Sequence, residues 1–385
     1  MNHRPAFPPN EFDRRRDNAT AAMRKAGLDC LVIGVPENIY YLTGLDHWGY
    51  FACHLLLLTQ DGESILINRA MERITVENQV RNARYIGYAD DEDPADAGVR
   101  ALRELGATDA RVGLEKRSLF LTPHVAEALQ AKLPDADWID ASGLLDALRQ
   151  IKSPLEIEHT RKAAAAADAG TLAAIEAVRD GATDSEVAAA CHRALILAGS
   201  DYPGFGPFIR PTSRLGEEHT TWRGDTFRAG DAVFLELAGA VRRYHAPMGR
   251  LVYLGNPPEG IDRSVELAIS GMKAIREAIR PGAAAGDAYA AWRSVARAGG
   301  LAGYERHHCG YLVGIGFPPS WTGGSMVTGL APNSRMELKA GMVFHLHSWF
   351  TDTDCADYFI SNTAVLTDSG CEILTQETPE TLIVR

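Results

Sequence analysis

No run of apolar residues reaches the roughly 18 needed to cross a bilayer. The opening MNHRPAFPPNEFDRRR has no apolar core of the kind a secretory signal carries. Basic charge is in deficit: 39 Lys and Arg stand against 50 Asp and Glu, a formal net charge of −11. With no long basic run either, the chain is a poor partner for nucleic acid or an anionic membrane. Cysteine is sparse. Cys30, Cys53, Cys191, Cys309, Cys355 and Cys371 are scattered with no C-x-x-C pair, which argues against a disulfide framework or zinc ribbon and fits reduced thiols in a cytoplasm.

What is present suits a soluble enzyme-sized chain. The 385 residues imply two or three domains, and 46% hydrophobic with 23% charged residues is an ordinary globular balance. The first third alternates helix-like and strand-like stretches. Glu11 to Ala26 is charged with regular apolar positions and stops at Gly27. Cys30–Val35, His54–Leu58 and Ser64–Ile67 are short apolar runs of strand length, the last two separated by the turn dipeptide Asp61-Gly62. Leu102–Leu105, Val112–Leu114 and the helix-like Val125–Leu133 continue the alternation. The pattern predicts a small α/β domain with a mixed sheet over residues 1–150.

A boundary falls near Ile151. Ser153-Pro154-Leu155-Glu156 supplies an N-cap serine, a proline at the first helical position and a glutamate three residues after the cap, and Thr183-Asp184-Ser185-Glu186 repeats the capping box. Helices are expected to about Val178 and Ala198, then strands at Ala232–Leu237 and Arg250–Leu254. A second helix pair (Asp262–Ile279, Asp287–Arg297) and strands at Met342–Leu346 and Thr363–Leu366 follow. Helix pair, strands, helix pair, strands predicts two related halves around a shared sheet over residues 151–385.

Polar residues inside apolar strands mark the chemistry. Glu236 interrupts Ala232–Leu237, and a buried carboxylate must be paired, protonated or functional. Arg242 or Arg243 could hold it as a structural ion pair; otherwise it is a site carboxylate. His345 and His347 share a strand face. That spacing suits a metal, but two ligands are too few unless Asp352, Asp354 or Asp357 completes the set. His307 and His308 are adjacent and read as one exposed and one packed. His219 lies in an irregular segment, 204–230, of a length that is often functional.

At these segments the sequence resembles the methionine aminopeptidase/creatinase superfamily, the pita-bread fold, over nearly its whole length. The matching residues include Leu42-Thr43-Gly44 with Trp48, Ser153-Pro154-Leu155-Glu156, His219 with Thr221-Trp222, and Glu236-Leu237-Ala238-Gly239. They continue with Arg243-Tyr244-His245 and Pro247, Gly310-Tyr311 with Gly314, Phe317-Pro318-Pro319 with Trp321, and Phe344-His345. The nearest likeness is to the creatinase and ectoine hydrolase branch. The resemblance implies an α+β chain, a small N-terminal domain followed by a pita-bread domain. The peptidases of the superfamily hold two metal ions with five side chains. Carried over, those positions fall on Glu236, Pro247, Tyr311, His347 or its neighbour, and Ser361. At most two good ligands remain, which implies no catalytic metal and no cofactor.

The resemblance therefore implies a metal-independent hydrolase that opens a C–N bond of a small solute such as a cyclic amidine or a guanidino compound. Glu236 is expected to attack the central carbon or to activate water, and His219 to move a proton to the leaving nitrogen. Tyr311, His345 and His347 would orient substrate or stabilise charge. Trp48, Trp222 and Trp321 would wall the pocket, with Arg69 or Arg210 clamping a substrate carboxylate. Ser361, where ectoine hydrolases retain a glutamate, joins the substrate-contacting group. A homodimer is implied, with the small domain of one subunit bordering the other's pocket. A metal-dependent Xaa-Pro aminopeptidase and a catalytically inactive pita-bread binding protein are the competing expectations.

Overall fold

A computed structural model describes residues 7–323, 327–353 and 356–385. Contacts divide the chain into two compact units, Met1–Arg149 and Gln150–Arg385.

In the first unit, helices α1 (Pro9–Ala26), α2 (Pro36–Thr43), α3 (Arg73–Gln79), α4 (Pro94–Glu104), α5 (Pro123–Lys132) and α6 (Leu144–Arg149) accompany six strands. These are β1 (Cys30–Ile33), β2 (Leu55–Thr59), β3 (Ser64–Arg69), β4 (Arg84–Tyr88), β5 (Arg111–Leu114) and β6 (Asp137–Asp140). The sheet order is β4-β3-β2-β1-β5-β6. The β1–β2 and β2–β3 pairs are antiparallel and the others parallel, giving a mixed sheet. Gly27 ends α1 in the left-handed conformation, its φ of 66° being open to glycine at little cost. The run Leu102–Leu105 is not strand: it closes α4, where Leu102 is buried on one helical face.

In the second unit both capping boxes form. Ser153 N donates to Glu156 Oε2 at 2.8 Å and opens α7 (Pro154–Ala177), while Thr183 N donates to Glu186 Oε2 at 2.7 Å and opens α8 (Asp184–Leu197). Strands β7 (Phe208–Arg210), β8 (Ala232–Val241) and β9 (Tyr244–Tyr253) follow, then α9 (Ile261–Ala278) and α10 (Ala285–Ala298). The chain ends through β10 (Gly310–Leu312), β11 (Val343–Phe350), β12 (Tyr358–Thr367), β13 (Gly370–Ile373) and β14 (Ile383–Val384). The sheet runs β10-β11-β12-β9-β8-β7, with β13 beside β12 and β14 beside β9. Helix α7 lies on β8 and β9, and α9 on β11 and β12. The alanine run explains the first contact. Ala163, Ala164, Ala166 and Ala167 are buried, and a Cβ at Gly239 would sit 2.1 Å from the Ala163 carbonyl oxygen, so helix and strand meet backbone to backbone.

The irregular 204–230 segment contains β7, and β10 also lay outside the sequence expectation; both are three-residue strands, too short for a periodic signal. Among the described residues, no helix is long and apolar enough to cross a membrane. Cys30, Cys53, Cys191, Cys309 and Cys371 are free thiols. Cys355 and Asp354 lie outside the described residues.

Candidate active site

Sheet register gathers side chains distant in sequence. Glu236 pairs with Gly249, Gly249 with Ser361, and Ser361 with His347, so one row crosses four strands. One step along β11, His345 pairs with Tyr311 of β10. Alternation along β11 puts His345 and His347 on one face, their ring centroids 4.1 Å apart.

Above this row lies a cavity of about 320 Å³. Of the residues singled out from sequence, it is lined by Glu236, His219, Tyr311, His347, Arg210 and Trp321. Glu236 is 7% exposed, and its Oε1 has no hydrogen-bond partner. Burial pushes its carboxyl up to about 8; the Arg210 guanidinium opposes that shift and Glu218 adds to it. Arg210, not Arg242 or Arg243, is therefore the cation that acts on Glu236. Arg243 instead donates to the Tyr202 carbonyl and covers the Tyr202 ring at 3.7 Å. Arg210 is itself buried, stacked 4.2 Å from the Phe234 centroid, with Nε unpartnered and Glu218 at 3.8 Å.

The remaining candidates lie outside the lining of this chain's own cavity. His345 is fully buried behind the lining, its Nδ1 2.9 Å from the Tyr311 hydroxyl and its Nε2 2.8 Å from Ser361 Oγ. His345 and Ser361 thus support the wall rather than form it. Trp222 turns away, its ring edge-on to His192 of α8 at 5.6 Å, because it packs with the apolar cluster beneath α7 and α8. Trp48 and Arg69 belong to the first unit and are not in the lining. Trp48 is 62% exposed, and Arg69 is occupied by a two-pronged pair with Asp90 at 2.8 and 2.9 Å. Asp352 and Asp357 are also outside the lining, joined by a bond from Asp352 N to Asp357 Oδ1 at 2.8 Å.

The sequence reading missed several lining groups. Both His307 and His308 border the cavity, as do Glu218, Arg306 and Trp349. Arg306 sits 4.3 Å over the Trp349 ring and 3.6 Å from Glu218. Period-2 alternation from His347 would have reached Trp349; nothing local marks the others. Burial lowers every one of these imidazoles: His308 to about 4, His307 more gently, His345 and His347 well below the usual range. Each shift favours the neutral ring. His219 is exposed at the cavity and held at a φ of 57°, uncommon for a non-glycine residue. Trp321 is seated by small neighbours: a Cβ at Gly204 would lie 2.2 Å from the Ser320 carbonyl oxygen.

Residues 158–368 match the model of metallopeptidase family M24, and residues 15–151 match the creatinase/prolidase N-terminal domain. The chain belongs to family M24. It is 30% identical to an ectoine hydrolase of Halomonas elongata over 98% of each chain. It is 23% identical to a Xaa-Pro dipeptidase of Pyrococcus furiosus over 96% of this chain and 99% of that one. Among solved structures, a prolidase from Thermococcus sibiricus superposes with a TM-score of 0.86 at 21% identity, covering 97% and 99%. A Xaa-Pro dipeptidase from Bacillus anthracis gives 0.84 at 20%, covering 97% and 100%. These likenesses show the pita-bread fold.

The family's two-ion centre does not fit these residues. Pro247 carries no ligand atom, Tyr311 is a buried phenol whose titration is pushed well upward, and Ser361 Oγ is bonded to His345. The structure nevertheless gathers three candidate ligands where the sequence left two: atoms of Glu236, His345 and His347 all lie within 4.8 Å of one another. An ion there would have to displace hydrogen bonds at both nitrogens of His345.

Proposed function

We propose that this M24 hydrolase opens a non-peptide C–N bond in a small cationic solute of the amidine or guanidine class, without a divalent ion. The observation that carries the reading is Glu236, a buried carboxyl with an unpartnered oxygen at the wall of a cavity near the small end of ligand-binding size. An uncompensated buried acid is matched by a substrate that brings a positive charge. That charge lowers the carboxyl's proton affinity when it binds, so the attacking carboxylate forms where it is used. Glu236 then drives attack on the sp² carbon, directly or through a water it deprotonates. The 98% mutual coverage with an ectoine hydrolase supports the same class. Arg210, with its free Nε, is the residue placed to meet a substrate carboxylate.

The test is a panel of cyclic amidines, guanidino acids and Xaa-Pro dipeptides, assayed for product after exhaustive chelation. Turnover of an amidine or guanidine that survives chelation, and that Glu236→Ala lowers at least about 10³-fold with the fold intact, is the expected result. Single turnover in ¹⁸O-water bears on the route: label in the Glu236 carboxyl establishes the direct one, with the adduct opened by water at the carboxyl carbon. The Glu236–His345–His347 group favours a second reading, a metal-dependent Xaa-Pro peptidase. Dipeptide cleavage that is lost to chelator and restored by zinc or manganese would establish it.

The proposal includes a cytoplasmic homodimer in which Trp48 of one subunit borders the other's cavity. The 62% exposure of Trp48 and 78% of Phe51 in the same loop support it.

A further inference from the structure

Behind the cavity wall His345 Nδ1 faces two polar groups, the Tyr311 hydroxyl and His347 Nε2, and can accept from only one of them. Trp321 Nε1–H can only donate, and it does so to the Tyr311 oxygen at 2.9 Å. His347 Nε2 lies 2.9 Å from His345 Nδ1. Two imidazole nitrogens at that distance need a proton between them, because facing lone pairs repel. If His347 carries it, the single lone pair of His345 Nδ1 is already taken. If His345 carries it, Nδ1 has no lone pair to offer. In either arrangement the Tyr311 hydroxyl, 2.9 Å from the same Nδ1, has no acceptor there. Among the described residues it has no other hydrogen-bond partner, and Tyr311 lines the cavity.

We infer that Tyr311 is a catalytic proton donor, giving its phenolic hydrogen to the substrate nitrogen that departs. This rests on the hydrolase reading above and takes over the role that sequence gave to His219, which stands exposed at the cavity. The step balances on the water route. Glu236 removes a proton from water as its oxygen bonds to the amidinium carbon, leaving a neutral tetrahedral adduct. Tyr311 protonates one nitrogen, and the C–N electron pair leaves with it. The phenolate takes the proton from the adduct's new hydroxyl as the carbonyl forms. The proton held by Glu236 leaves with the amine, so one water and one amidinium give an amide and an ammonium. On the direct route the phenolate instead takes the proton of the water that cleaves the Glu236 adduct. Ser361, bonded to His345 Nε2, is a positioning residue that holds the imidazole in place.

Two measurements on Tyr311→Phe test this. The first uses ¹⁵N-histidine-labelled protein, with His345 and His347 signals assigned from their Gln variants. The inference expects no unprotonated imidazole nitrogen to lose an accepted hydrogen bond in Tyr311→Phe, since neither ring holds the phenolic proton. A downfield shift of an unprotonated His345 Nδ1, the mark of such a loss, shows that Tyr311 donates to it and overturns the inference. The second uses substrates whose departing amines range from aliphatic to nitroaryl. The expected result is an unchanged KM and a kcat loss of about 100-fold or more for aliphatic leaving groups, shrinking as the amine becomes more acidic. An equal loss across the series, or none, overturns it. Wild-type protein inert to the whole panel sinks the hydrolase reading instead, and the nitrogen shifts still decide where the proton lies.

Discussion

The second unit contains two buried polar clusters on the same sheet, and they differ in how completely their groups are paired. At the first, Arg250 uses all five N–H donors: Nε on Pro379 O, Nη1 on Gly249 O and Ser361 O, Nη2 on Asn362 Oδ1 and Thr378 O. Nearby, Asp168 accepts from Gln376 N, Thr378 N and Thr378 Oγ1 at 2.9, 3.0 and 2.7 Å. Together they fasten residues 376–379 to the sheet and to α7. At the second cluster, Glu236 Oε1, Arg210 Nε and His308 Nδ1 are all buried without partners. A saturated cluster is complete in the free protein. An unsaturated one costs stability and is finished by something that binds.

Breaking each cluster separates the two kinds. Glu236→Ala is the largest expected effect on rate, as stated above, with little loss of stability. Arg250→Met should do the reverse: it takes the guanidinium donors from four interior carbonyls and one of two donors from Asn362 Oδ1, and a loss of about 3–5 kcal/mol is expected from chemical denaturation. Comparable stability losses in both variants would erase the distinction.

The pH dependence sharpens it. The Glu236 proton is held in the folded chain up to about pH 8, well above the ordinary carboxyl value of about 4.3. Between those values the folded state binds more protons than the unfolded one, so this group's contribution to stability falls as pH rises. Glu236→Gln is thus expected to match wild type near pH 4 and to exceed it increasingly up to pH 8, by at most about 1.4 kcal/mol per unit. Activity runs the other way. Since the carboxylate attacks, kcat/KM should climb with pH and level near 8, whereas kcat levels at lower pH because bound cationic substrate favours ionisation.

How far the sequence reaches depends on distance along the chain. The capping boxes and the shared face of His345 and His347 rest on neighbours within four residues, the mixed first sheet on the order of its elements, and all are found. Glu236 stood out because a single acid breaks an apolar strand. What local pattern does not contain is register. Ser361 supports His345, and Tyr311 lies beside it, only because β12, β11 and β10 pair at particular residues. His308 and Arg306 reach the cavity through the loop before β10, where no periodicity signals direction. Arg243, seven residues from Glu236 along the β8–β9 hairpin, was no better placed by sequence to meet it than Arg210, which lies across the β7–β8 pair.

The two tryptophans that sequence grouped as pocket walls give the smallest and cleanest contrast. Trp321 packs edge-on to Phe205 at 4.7 Å, lines the cavity and donates to Tyr311. Trp222 lies against His192 and the α7–α8 cluster. Substituting each by Phe removes an indole N–H and keeps most of the apolar area. Trp222→Phe should leave KM within about twofold, since its ring is outside the cavity lining. Trp321→Phe should raise KM several-fold, from the altered wall and the loss of the donor that fixes the Tyr311 oxygen; about 1 kcal/mol for one hydrogen bond corresponds to roughly a fivefold change. Equal KM values in the two variants would place both rings outside the binding surface, and with them the aromatic wall that the amidine reading uses.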